Sequence, residues 1–183
     1  GAPYECLVKE TKAAVAALAV PSGSNLRTYR LAMAATGEFT VWSGGTVGDA
    51  MAEITEIVNI VNNLYEREVA IRLTLVANNT SVIYTNPATD PYTNPSDTCG
   101  ALNADNQTAC DVQIGSANYD IGHVMHTSGG GCVSGRTCNN ANKARGGTGI
   151  TSGGTGDPWN VATIDFIAHE IGHQFDAAHT WNS

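Results

Sequence analysis

Between Gly44 and Asn78 the chain encodes one long amphipathic helix followed at once by a strand, and this pair does most to restrict the fold. Gly44, Gly45 and Thr46 open the helix. Val47, Met51, Ile54, Val58, Val61 and Tyr65 then recur in steps of four and three, which keeps them on one face. Glu53, Glu56, Glu66 and Arg67 fall on or near the wetter side. Residues 27–36 precede the helix and place Tyr29, Leu31 and Met33 on one face of a strand. Residues 69–78 follow it, rich in β-branched and aliphatic side chains, as a second strand. A helix this long between two strands suits a parallel crossover.

The rest of the chain continues the alternation. Residues 81–85 read as a short third strand, 86–100 as a loop holding Pro87, Pro91, Pro95 and Cys99, and 102–114 as a helix. Residues 119–127 read as a fourth strand, and two glycine-rich loops enclose a short fifth near 143–147. The last helix starts near Asn160 and runs through His173. The fold class is α/β. Residues 1–26 read as a leader or pro-segment remnant, with Cys6, an alanine-rich stretch and then a Pro-Ser-Gly-Ser-Asn break; 27–183 form the main domain.

Composition excludes some functions. Nine Lys and Arg are scattered, which gives no nucleic-acid footprint. The longest apolar run, 13–20, is far short of a membrane span. The net charge of −8 reads as solubility. No cysteine spacing is that of a zinc ribbon. Cys99 and Cys110 flank one short loop and Cys132 and Cys138 another, so two local disulfides are expected, with Cys6 left over. Such pairs point to an oxidising compartment and secretion.

The chemistry lies in His169-Glu170-Ile171-Gly172-His173, with His179 six residues further on. Val161, Ile164, Ala168, Ile171 and Phe175 give this last helix a buried stripe. His169 and His173, one turn apart, can both reach a tetrahedral zinc ion. Glu170 points about 100° away around the axis, unsuited to the same ion but suited to act as general base on a water beside it. This is the chemistry of the HExxH motif, and a third histidine at the eleventh position makes a chance match far rarer. A straight helix carries His179 away from the metal, so the chain must turn back. Glycine suits such a turn; here the residue is Asp176, which tolerates the left-handed conformation better than most. If the helix instead continued, Asp176 would share the face of the two histidines and offer a carboxylate as third ligand.

The chain also resembles a known family. Residues 29–40, 61–79, 83–94, 114–131, 143–149 and 165–182 look, in order, like the catalytic domain of metzincin metallopeptidases, and more closely the bacterial reprolysin-like (M12B-like) secreted ones. The resemblance implies a twisted, mixed five-stranded sheet with a long backing helix and an active-site helix flooring a cleft. It implies one catalytic Zn2+ on His169, His173 and His179, Glu170 as catalytic base, and a protein or peptide substrate. It implies an antiparallel edge strand at 119–126, whose His123, Val124 and Met125 line the cleft and pair with substrate. A leader cysteine caps the zinc in several relatives, so Cys6 is a candidate latency ligand, released by cleavage near Arg27 or Arg30; the plainer reading is a free or intermolecularly paired thiol. Two features depart from the family: Asp176 at the glycine position, and the end of the sequence four residues after His179, before any methionine turn. The expectation is therefore a fragment, nicked product or truncated chain that lacks the lower subdomain.

Two rival readings stand beside the peptidase: an inactive zinc-binding module, and a structural zinc domain closed by Cys6 or Asp176. The loop 89–97 offers oxygens for Ca2+ but lacks EF-hand spacing, and a turn-rich loop is the plainer reading.

Overall fold

The computed structural model describes residues 9–12, 25–150 and 161–179. The elements in chain order are β1 (Lys9–Lys12), β2 (Asn25–Ala35), α1 (Gly37–Trp42), α2 (Val47–Val69) and β3 (Ile71–Leu75), then α3 (Asn103–Gln113), β4 (Ile121–His126), β5 (Gly131–Val133), β6 (Gly146–Gly149) and α4 (Val161–Gln174). β3, β2, β4 and β6 lie side by side and parallel, and β5 closes the far edge antiparallel to β6. This is the mixed five-stranded sheet expected from the sequence. β1 adds to it, pairing antiparallel with the first residues of β2 from Lys9↔Thr28 to Lys12↔Asn25.

The alternation of β2 divides the core. Leu31, Met33 and Ala35 pack with Ile54, Ile57, Val61, Ile167 and Ile171 from α2 and α4. Ala32 and Ala34 face the other way, onto Leu102, Cys110 and Ile114 around α3. The sheet therefore lies between two helical layers, and α4 shares its layer with α2. Thr46 caps α2, accepting from the Asp49 N–H, and Ala70 ends it in the left-handed region with φ 53°. Asn62 covers the outer edge of β3: its side chain donates to Leu73 O at 2.8 Å and accepts from Leu73 N at 2.7 Å. A strand edge satisfied in this way is not open to further pairing.

Several expectations are corrected. The strand at 119–127 is neither an edge nor antiparallel. β4 runs parallel between β2 and β6, so both its hydrogen-bonding sides are taken, and His123, Val124 and Met125 are fully buried. They cannot line a cleft; the edge strand is β5, within what reads in sequence as a glycine-rich loop. Residues 79–82 form a 3-10 turn, with a single bridge from Ile83 to Ala35 where a third strand was expected. Cys99 bonds Cys132, 33 residues away, so neither local disulfide forms; Cys138 is also disulfide-bonded, and Cys110 is a buried free thiol. Arg27 and Arg30 lie inside β2, with Arg30 paired to Asp120 at 2.7 Å, so cleavage there would cut the sheet. Cys6 and most of the leader lie outside the described residues.

Candidate metal centre

α4 is set against the sheet by its apolar stripe, in which Ile164, Ile167, Ala168 and Ile171 are buried. Tyr65 on α2 donates to Ala168 O at 2.5 Å, which fixes the helix one residue before His169. His169 and His173 then project from the side away from the stripe, as their spacing requires.

The helix stops at Gln174 by a Schellman arrangement. Ala177 N donates to Gly172 O and Asp176 N to His173 O, with Asp176 in the left-handed region at φ 65°. The aspartate thus makes the turn that sequence assigns to glycine. It is not used as a ligand: its carboxylate is 2.8 Å from Arg136 Nε. The reversed chain brings His179 back, and the three Nε2 atoms stand 2.9, 3.0 and 3.1 Å apart. Among the described residues this trio is the group able to hold a metal ion.

The donor set fits zinc. His173 Nδ1 donates to Ala177 O at 2.6 Å, which leaves its Nε2 as the lone-pair nitrogen. A shared proton can bridge one edge of such a triangle but not all three. A cation bonded at about 2.0–2.1 Å to each nitrogen satisfies them together. His169 is held below the ordinary histidine range by desolvation and by the two neighbouring imidazoles, a state suited to metal rather than proton.

Glu170 leaves the helix toward the edge strand. It is buried, and burial raises its carboxyl above the usual range against a smaller opposing effect of His173. Gly131 makes room for it: a Cβ there would lie 2.5 Å from Glu170 Cγ. Glu170, His173 and His179 share an open cleft of about 510 Å³ with β5 and the loop that follows it, including Ser134 and Arg136.

Sequence reasoning missed the support beneath the centre. Gln174, next to His173, is buried; its amide donates to Gly122 O at 2.7 Å and to Lys143 O at 3.3 Å. Its Oε1 accepts from His123 Nδ1 at 2.8 Å, and His123 Nε2 accepts from Thr148 Oγ1 at 2.8 Å. His123 therefore braces α4 from inside the sheet rather than touching substrate. One sequence signal was available: Gln174 stands three residues after Ile171, a polar residue on an apolar stripe. In the loop 89–97, Asp90 accepts from the N–H groups of Gly37 and Tyr92 and Asp97 from that of Ala101, so these carboxylates serve the backbone.

The model of the Metallo-peptidase family M12B, reprolysin-like, matches residues 25–183. No curated protein matches the chain.

Proposed function

The chain belongs to the reprolysin-like metallopeptidases of family M12B, and from that premise we propose that it is a zinc-dependent endopeptidase acting on extended polypeptide. The observation that carries this reading is the convergence of three imidazole nitrogens within 3.1 Å, with a buried glutamate alongside. His169, His173 and His179 are the ligands. Three protein ligands leave a coordination position for water, which is the count of a catalytic site. Zinc supplies polarisation of the scissile carbonyl and acidification of the attacking water. Glu170 takes the proton from that water and returns it to the leaving amine; its raised pKa suits a group that must both accept and give.

Substrate binding is assigned to β5. Cys132 pairs with Gly147 across the ladder to β6, and antiparallel alternation turns the backbone groups of Gly131 and Val133 to the open side. An extended peptide added there lies over Glu170. The Cys99–Cys132 disulfide anchors that strand and supports secretion into an oxidising compartment.

The test is hydrolysis of an unfolded protein such as reduced casein by the zinc-loaded chain, with and without a chelator, beside Glu170→Ala. Cleavage that requires zinc and falls at least about a thousandfold in the variant supports the reading. Cleavage that survives Glu170→Ala rules it out.

A further inference from the structure

Two adjacent residues of the loop after β5 grip the end of α4. Thr137 donates to Gln174 O from both its N–H, at 2.8 Å, and its hydroxyl, at 2.9 Å. Arg136 meets the Asp176 carboxylate at 2.8 Å. The loop is fixed in turn, since Ser134 N donates to Arg145 O and Arg136 N to Asn142 Oδ1 at 3.2 Å. Asp176 is the residue on which the chain pivots between His173 and His179, and it holds φ 65° with a Cβ present. Glycine holds that conformation unaided; a residue with a Cβ does so at a cost.

We propose that Arg136 is a positioning residue for the third histidine: by holding the Asp176 carboxylate it fixes the left-handed turn that carries His179 into line with His169 and His173. The inference rests on the reading of the three histidines as zinc ligands, and adds to it a specific pair outside the ligand set. It explains how this chain does without the glycine. It also joins the strand assigned to substrate to the turn that carries a ligand, since Val133 and Arg136 are three residues apart.

The coupling is measurable as zinc affinity, by competition with a chromophoric chelator, on the full chain and on Arg136→Ala, Asp176→Gly and the double variant. Both side chains of the pair are well exposed, so the effect is modest. Arg136→Ala weakens zinc binding about three- to fivefold when Asp176 is present. In the Asp176→Gly chain the same change has less than about a twofold effect, because glycine needs no partner. Arg136→Lys gives an intermediate affinity, and the melting temperature of the metal-free Arg136→Ala and Arg136→Lys chains stays within about 2 °C of that of the unaltered chain. Equal losses in both backgrounds, or none in either, overturn the proposal while leaving the zinc site intact. Failure of the unaltered chain to bind zinc overturns the peptidase reading with it.

Discussion

Gly131 and Glu170 are in such close approach that β5 and α4 meet with only the Glu170 side chain between them. A Cβ on Gly131 would lie within 2.9 Å of Glu170 Oε1 as well as 2.5 Å from its Cγ. The glycine therefore decides where the carboxylate sits relative to anything bound along β5. Gly131→Ala is expected to push the glutamate aside and lower kcat by about 10- to 100-fold, since a shift of about 1 Å at a reacting group has that effect. Zinc affinity should stay within about twofold, because Glu170 is not a ligand. Parallel peptidase assays and zinc titrations check the separation; a matching fall in both would show that the glycine supports the whole centre instead.

Gln174 ties α4 to the sheet interior through three partners, His123 Nδ1, Gly122 O and Lys143 O. Replacing it by Leu removes the partner of His123 Nδ1 and strips Gly122 O and Lys143 O of a donor, all in the interior. Loss of about 2–4 kcal/mol follows from leaving such groups unsatisfied. Urea unfolding of the metal-free Gln174→Leu chain reads this directly, and a change below 1 kcal/mol would contradict it.

Stability should fall on mild acidification. Burial holds His123 and His126 neutral, each pushed down to about 4, with a smaller contribution at His126 from His123. The unfolded chain protonates these residues near the ordinary value of about 6.5. Between these values the unfolded state binds more protons, so stability is full above the upper value and declines as pH drops toward the lower. The slope is at most about 1.4 kcal/mol per pH unit for each histidine, and Glu170, raised by burial, opposes it in part. Urea midpoints of the metal-free chain at pH 7 and pH 5 should show this loss, to which His169, also lowered by desolvation, adds with the same sign, and His126→Asn should remove part of it. A flat profile would contradict the burial of both rings.

The Cys99–Cys132 bond joins the turn before α3 to β5 across 33 residues. Replacing both by Ser is expected to cost about 2–4 kcal/mol. Cys110, buried with its thiol pushed well up by desolvation, should resist a charged thiol reagent until the chain unfolds. Mass spectrometry of the labelled chain before and after denaturation checks the second point; labelling of Cys110 in the native chain would contradict it.

What was legible in the sequence was what repeats locally. The stripe of α2 and that of α4 are periodic, so both helices and the facing of His169 and His173 could be read from spacing alone. α2 begins at Val47 with Thr46 as its cap, directly after the Gly44–Gly45 pair expected to open it, and Gln174 ends α4 one residue past the expected position. β5 escaped because Gly-Cys-Val carries no alternation, and the fifth strand expected near 143–147 lies a few residues later, at Gly146–Gly149, because its pairing is set by distant partners. The placement of β4 inside the sheet was missed for the same reason, since an interior and an edge strand can share one pattern. Cysteine spacing suggested neighbours, whereas Cys132 is brought to Cys99 by the way β5 docks beside α3. The roles of Gln174 and Arg136 depend on contacts with residues 31 or more positions away, which no window of sequence contains.

X-ray absorption at the zinc edge of the fully loaded chain tests the central claim most directly, because it reports the ligands whether or not the protein turns over. The account predicts one zinc per chain with three imidazole nitrogens and one light oxygen scatterer. A fourth protein ligand, a sulfur or a carboxylate in place of that exchangeable oxygen, would make the centre a closed structural site and contradict the peptidase reading.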